Sequence, residues 1–241
     1  MTPRPHARTR RAAMASLLFA AATLLSLPGC DPRTMLFFLQ PFDPTVAATG
    51  PSLKGKKVVV LTQLKAGAGD TYNDLSRDLT RNFIKSVREN SKKVQFVELD
   101  KVTAWNEAHP TETDVTQAGK DFEADVVVLF DVSDFHATDP KSPDLLEGNA
   151  NIRVHVWEFG HPKNDKGRED KSEPKEWNET MNEQKDVTFP VRGAVPRDTG
   201  VSEAAFKIKF LKLVATELSW YFVEHAPGDD IQDVKFDGSI Q

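Results

Sequence analysis

The sequence predicts an α/β fold in which about three helices pack on a single mixed β-sheet of about five strands. Two short apolar runs that lack alternation, residues 58–61 and 124–130, are typical of strands buried on both faces. Between them, four large apolar residues recur every four positions: Leu75, Leu79, Phe83 and Val87. That spacing indicates a helix with one buried face, so strands and helices alternate in the first half of the domain.

Turn and capping signals place the elements between the two buried runs. A loop at residues 65–70 leads to Thr71, which stands three residues before Asp74 as a capping-box candidate at the start of the helix. Residues 94–99 form the second predicted strand. Residues 102–121 form a looser helical connection to the central strand.

The second half of the domain is predicted to form a hairpin and a final helix. Residues 150–159 alternate between two faces and indicate a strand with one face partly exposed. Residues 160–186 are charged and polar, which favours an extended, mobile hairpin loop before a last strand at 187–191. Residues 202–225 carry apolar side chains at helical spacing and predict the longest helix.

The order of elements resembles a group of bacterial envelope proteins: the amino-terminal domain of the TolB translocation protein, the curli secretion lipoprotein CsgG and the penicillin-binding-protein-activator lipoproteins. The strand at residues 57–64, the Leu75 helix and the strands at 124–128 and 151–159 carry this resemblance. It implies an envelope protein that binds other proteins, and it supplies no catalytic residues.

An export signal precedes the domain. Residues 1–11 hold arginines without acidic residues, and residues 12–27 contain nothing charged. The segment ends in Leu27-Pro28-Gly29-Cys30, and Cys30 is the only cysteine of the chain. This motif resembles a bacterial lipobox, which implies cleavage before Cys30 and diacylglycerol transfer to its thiol. The alternatives are an ordinary signal with an incidental cysteine and a transmembrane anchor, for which residues 12–27 fall short of the roughly 20 residues required.

The lipobox divides the chain into four predicted segments: a signal peptide at residues 1–29, an acylated tether at 30–55, the α/β domain at 56–226 and a tail at 227–241. The tether contains an apolar patch at residues 35–39 that either lies on the membrane or packs on the domain. Two or more acyl chains anchor a protein stably. We therefore expect a cell-envelope protein bound to membrane lipid through Cys30, with its domain facing the periplasm or the exterior.

The charge of the mature chain restricts its partners. Removal of residues 1–29 leaves 27 basic and 36 acidic side chains, a net charge of −9. Such a charge is a poor electrostatic match for nucleic acid or for anionic lipid. We expect no nucleic-acid partner and no cofactor, and the sequence leaves the oligomeric state open.

Two polar motifs could carry chemistry. Residues 67–70, Gly-Ala-Gly-Asp, could offer backbone amides to a phosphate, but the motif lacks the Gly-Lys-Ser/Thr of a P-loop and favours a flexible turn. Asp131, Asp134 and His136 follow the central strand and could bind a metal or serve a hydrolase if they converge. Their spacing matches no metal-site template, which favours a solvated loop.

Three aromatic residues flank the charged hairpin: Trp157, Phe159 and Trp177. Exposed aromatic side chains beside a mobile loop are typical of protein-binding surfaces, although the same residues could equally pack beneath the hairpin. The sequence contains no Gly-x-Ser-x-Gly elbow and no His-Glu-x-x-His motif, which favours a non-enzymatic protein. We expect an accessory module that binds an unknown envelope protein in envelope assembly or secretion; the alternative is a metal-dependent or hydrolytic enzyme that uses the Asp131 cluster.

Overall fold

A computed structural model of the chain describes residues 45–68, 74–109, 115–139, 141–161, 174–191, 193–197, 200 and 202–227. The lipobox with Cys30, the apolar patch at 35–39, the capping candidate Thr71 and the tail beyond residue 227 lie outside the described residues. What the sequence indicates for these segments therefore stays a prediction.

Strands and helices alternate at first, and a run of strands then precedes the last helix. In chain order the elements are β1 (Lys57–Leu64), α1 (Leu75–Asn90), β2 (Gln95–Phe96), α2 (Leu99–Ala108), α3 (Thr116–Asp121), β3 (Val126–His136), β4 (Leu145–Leu146), β5 (Gly148–Gly160), β6 (Glu176–Phe189), β7 (Val195–Pro196) and α4 (Glu203–Ser219). The α/β prediction is confirmed.

The main sheet has five strands in the order β2-β1-β3-β5-β6, and β4 pairs with β7 in a separate two-stranded ladder. β1 is parallel to β2 and to β3, whereas β5 is antiparallel to both β3 and β6. The parallel pairs require crossover connections, which the helices α1 to α3 supply. The sheet is therefore mixed, with a parallel half next to an antiparallel half.

Helices cover the two faces of the sheet unequally. On the first face, α1 and α4 bury a large core in which the Phe83 ring lies 4.9 Å from that of Phe130 and 5.6 Å from that of Phe222. On the second face, α2 and α3 cover a smaller apolar cluster that includes Val59 and Val127. Burial on both faces explains why β1 and the first half of β3 lack alternation in sequence.

The connection between α1 and β3 differs in detail from its prediction. The strand predicted at 94–99 is shortened to Gln95–Phe96, because α2 already begins at Leu99. The loose connection predicted at 102–121 contains two separate helices, α2 and α3. The described residues therefore contain four helices instead of three.

The prediction of a loop at residues 160–186 is wrong for the second half of that range. β6 begins at Glu176 and pairs with β5 from Glu176 opposite Gly160 to Phe189 opposite Gly148. Its composition is polar because it is an edge strand with one face towards solvent, so only alternate residues such as Met181 and Val187 enter the core. Residues 162–173 lie outside the described residues.

The predicted boundary between tether and domain at 55/56 also differs. The backbone of Val46 exchanges hydrogen bonds of 2.8 and 3.2 Å with His225, and the Gly50 amide donates to the Tyr221 carbonyl at 2.7 Å. Leu53 is 1 % exposed within the main core. Residues from Val46 onwards therefore belong to the domain.

Candidate functional site

The antiparallel half of the sheet presents a polar second face. Along β5, even-numbered residues from Ala150 to Val156 are buried in the main core, while the odd-numbered side chains point to the other face. Together with their neighbours on β3 and β6 they form what we call the open face: Asp131, Asp134, His136, Asn149, Asn151, Arg153, His155, Trp157, Phe159, Trp177, Glu179, Asn182, Gln184, Asp186 and Thr188. All predicted site residues of the domain lie on this one surface.

Asp131, Asp134 and His136 lie within β3. The sequence had predicted that they follow the strand, and this prediction is wrong. β3 continues to His136 because β5 pairs with it along its whole length, with a register shift between Val132 and Asp134. The shift inserts one residue, so Asp134 and His136 stay on the same face as Asp131. Extension of the strand converts the predicted loop cluster into a row along the sheet.

The acidic and histidine side chains of this row divide into two separate pairs. Asp134 Oδ1 lies 3.1 Å from His136 Nδ1, whereas Asp131 Oδ2 lies 3.2 Å from Lys65 Nζ. In the part of the chain that the structure describes, no group of three or more His, Cys, Asp or Glu side chains could hold a metal ion. The row therefore lacks the convergence that a shared metal or catalytic site requires.

Hydrogen bonds connect the polar side chains across the three strands. Ser133 Oγ donates to the Asn151 carbonyl at 3.1 Å, and Asn151 Nδ2 in turn donates to Asp186. Further along, Thr188 Oγ1 donates to Asn149 Oδ1 at 2.9 Å. These cross-strand pairs restrain the polar side chains at this end of the open face.

A histidine and a glutamate mark the middle of the open face. His155 Nδ1 lies 2.7 Å from Glu179 Oε1, and its ring stacks on Trp157 with centroids 5.4 Å apart and planes at 11°. Sequence reasoning missed Glu179 because it assigned this residue to a loop. The alternation of polar residues with Met181 and Val187 is the signal that could have located it.

The three aromatic candidates gather at one end of the open face. The Phe159 and Trp177 rings lie 5.4 Å apart with planes at 42°. Trp157 and Trp177 are half-buried against the smaller core, whereas Phe159 is 46 % exposed. The two possibilities that the sequence left open are therefore divided among the residues: two tryptophans pack, and the phenylalanine is exposed.

A polar contact holds the helices beside this aromatic end. Trp105 Nε1 of α2 donates to Asp121 Oδ2 at 2.8 Å, and Gln117 Nε2 donates to Asp121 Oδ1 at 2.7 Å. Both hydrogen bonds stabilise the carboxylate and lower the pKa of Asp121 below its usual value. The contact connects α2 to the end of α3, whose Gly119 lies against Trp177.

The glycine loop after β1 forms a turn in its described part. Gly67 has a φ of 88°, a left-handed conformation that favours glycine, and the Ala68 amide donates to the Lys65 carbonyl at 2.9 Å. Gly69 and Asp70 lie outside the described residues. The turn interpretation fits this geometry.

Within the part of the chain that the structure describes, no helix combines the length and the apolar character needed to span a bilayer.

Comparisons with known proteins give only remote similarities. No protein-family profile matches the chain, and no curated protein matches it. Among solved structures, the chain is similar to a PelC dodecamer from Paraburkholderia phytofirmans, with 10% identity and a TM-score of 0.39 over 76% of this chain and 97% of that one. It is similar to the hypothetical protein CT253 from Chlamydia trachomatis, with 12% identity and a TM-score of 0.38 over 70% and 97% of the two chains. It is also similar to the lipoprotein GNA1162 from Neisseria meningitidis, with 8% identity and a TM-score of 0.40 over 70% and 99%.

Proposed function

We propose that this chain is a lipid-anchored protein of the bacterial envelope whose domain binds another envelope protein through the open face, without catalysing a reaction. The lipobox at Leu27–Cys30 supports the anchor, and the resemblance to the TolB, CsgG and activator-lipoprotein group supports a role in envelope assembly or secretion. The observation that carries the binding role is the exposed Phe159 beside Trp177 at the end of a rigid polar surface.

This arrangement has the composition of a protein-protein interface. Binding energy at such interfaces concentrates in a few aromatic or arginine anchors surrounded by polar contacts. Phe159 supplies an exposed aromatic anchor, Trp177 lies beside it on β6, and Arg153 lies exposed further along β5. The cross-strand hydrogen bonds hold this surface in place before binding, so little side-chain entropy is lost when a partner binds.

The enzymatic alternative finds less support in the same residues. A hydrolytic or metal-dependent site needs several polar groups that point to one reacting centre. Asp134 pairs with His136, but Asp131 pairs with Lys65, the residue that follows β1. The dispersed arrangement favours a recognition surface.

The anchor is tested by fractionation of cells that express the wild-type chain or Cys30→Ser. We expect the wild-type amino-terminal peptide to carry acyl chains in mass spectrometry and the protein to sediment with membranes. The variant lacks the acylated thiol and should no longer be processed at this site. An unmodified Cys30 peptide in the membrane-extracted wild-type protein would contradict the anchor.

The binding surface is tested with Phe159→Ser, which removes the exposed anchor while leaving Trp177 in place. Loss of an aromatic anchor costs about 2 kcal/mol or more, so we expect recovery of a reproducible crosslinked partner to fall by at least roughly tenfold. Ile208→Ser is the matched control, because Ile208 is 57 % exposed on α4, away from the open face. Equal recovery with both variants would overturn the proposed surface.

A further inference from the structure

The domain is acidic overall, but its positive charge is not evenly spread. Four exposed basic side chains gather at the end of the sheet where β1, β3 and β6 begin, which we call the proximal end. They form what we call the proximal patch: Lys54, Arg88, Lys92 and Lys93. The net charge of −9 predicts a poor match to anionic lipid, and this local grouping of cations is an exception to the acidic composition of the domain.

Backbone hydrogen bonds bring the members of the proximal patch together. The Gly55 amide donates to the Lys93 carbonyl at 2.8 Å, so the turn that carries Lys54 lies beside Lys92 and Lys93. Arg88, in the last turn of α1, lies over the Phe96 ring at 5.6 Å. The patch is therefore built from three chain segments that the fold fixes relative to one another.

The charges of the proximal patch are not neutralised within the described residues. Other cations of α1 have acidic neighbours: Arg77 lies 2.8 Å from Asp100, and Arg81 lies 2.6 Å from Asp78. By contrast, none of the four patch residues has a carboxylate of a described residue within 4.0 Å. The nearby Glu158 is paired with Lys56, and Glu89, next to Arg88 in α1, lies 3.9 Å from Lys85, so both carboxylates have cations outside the patch as partners.

The chain enters the domain at the same end. After Val46 pairs with His225, the segment that follows crosses the proximal end, where Pro51 lines a cavity together with Asp125 and Gly160. Residues 31–45, which separate the predicted acylation site from Val46, span at most about 55 Å when fully extended. An acylated Cys30 would therefore keep Val46 within about 55 Å of a phospholipid surface.

We propose that the proximal patch binds the anionic phospholipid headgroups of the membrane that holds the acyl chains, which orients the domain. This inference rests on the proposed lipid anchor. Basic residues next to an anionic membrane surface each strengthen binding roughly fivefold, and acyl chains combine with such a patch in stable anchoring. Phe159 and Trp177 lie where β5 ends and β6 begins, so this orientation places the aromatic end of the open face next to the membrane. The opposite end of the open face, at His136 and Thr188, points away from the membrane.

The test uses the acylated mature protein reconstituted into vesicles of phosphatidylcholine alone or with about 30% phosphatidylglycerol. Lysines are acetylated for a short time and their labelling is quantified by mass spectrometry. We expect Lys54, Lys92 and Lys93 to be labelled at least roughly threefold more slowly on the anionic vesicles, and this protection to disappear at about 0.5 M salt. Lys141 and Lys212, which are exposed elsewhere, should be labelled equally on both vesicles.

Two triple variants separate the patch from general electrostatics. The readout is Lys57 at the start of β1, which should also be labelled more slowly on anionic vesicles in the wild-type protein. In the variant Lys54→Gln/Lys92→Gln/Lys93→Gln, this protection of Lys57 should be lost. In the control variant Lys101→Gln/Lys141→Gln/Lys212→Gln, which removes the same charge from other surfaces, the slower labelling of Lys57 should persist. Equal labelling on the two kinds of vesicle, or slower labelling of Lys141 instead, would overturn the patch while the anchor stands. Failure of the wild-type protein to carry acyl chains would overturn the anchor itself.

Discussion

Gly119 determines how closely α3 approaches the aromatic end of the open face. The position that a Cβ atom would occupy lies 2.3 Å from Cζ2 of Trp177 and 2.9 Å from Cγ2 of Val127. Both distances are shorter than Cβ atoms tolerate, so any side chain at residue 119 must displace the indole or the helix. The missing side chain allows Trp177 to lie half-buried beneath α3 while Phe159 beside it is exposed.

We expect Gly119→Val to destabilise the domain by about 2 kcal/mol, because overpacking forces neighbouring side chains and backbone to shift. For a domain of this size that corresponds to a fall in Tm of roughly 4–8 °C in thermal unfolding followed by circular dichroism. Gly160→Val is the control, since no atom lies within 4 Å of its Cβ position. A Tm change of the same size in both variants would contradict the close approach at Gly119.

At the scale of the elements, one buried polar contact joins the two helices that cover the first face. Ser86 Oγ of α1 lies 2.8 Å from Ser219 Oγ of α4, and the two residues are 8% and 0% exposed. Ser219 also donates to the Thr216 carbonyl at 2.6 Å, which leaves its oxygen available to accept from Ser86. A buried hydroxyl without a partner is costly, so the pair constrains how the helices pack.

We expect Ser86→Ala and Ser219→Ala each to lower the free energy of unfolding by about 1 kcal/mol. The double variant should lose less than the sum, by about 0.5–1 kcal/mol, because the second substitution removes a hydroxyl that already lacks its partner. Chemical denaturation of the wild-type protein, the two single variants and the double variant measures these free energies of unfolding. Ser86→Ala combined with Ser133→Ala, on the opposite face of the sheet, should instead be additive, and additivity in the serine pair itself would exclude the direct contact.

Strands buried on both faces were predictable from sequence, but the polar edge strand was not. The run that includes Val58 and the run that includes Val127 are apolar throughout, since both faces of these strands are covered. In β6 only Met181, Val187 and Phe189 are buried, which is too weak a pattern to separate a strand from a loop. Six residues of the open face were candidates from sequence, but their assembly on one surface was not predictable, because the register between β3, β5 and β6 decides which side chains meet.

At the scale of the whole molecule, the domain begins earlier than its first strand. A boundary at residue 56 follows from the start of the apolar run, because Pro44, Gly50 and Pro51 are typical of a linker. In the structure, the start of the domain instead pairs with its end, because the backbone of Val46 is hydrogen-bonded to that of His225 just beyond α4. Local sequence signals do not report such a contact, since the two partners are far apart along the chain.

If residues 45–55 are part of the cooperative domain, Leu53→Ala should be strongly destabilising. Leu53 is 1 % exposed in the main core, and truncation of a buried leucine leaves a cavity that costs about 2–5 kcal/mol. Val46→Ala is the matched control, because Val46 is 42 % exposed and its backbone hydrogen bonds survive the change, so a loss below about 0.5 kcal/mol is expected.

Urea unfolding of the mature protein measures both substitutions. Similar small losses would place residues 45–55 in the tether, where the sequence had assigned them. A large loss at Leu53 alone would show that the segment leading to the anchor is built into the core. The membrane attachment of the proximal end would then be rigidly coupled to the sheet, and the orientation imposed by the proximal patch would extend to the open face.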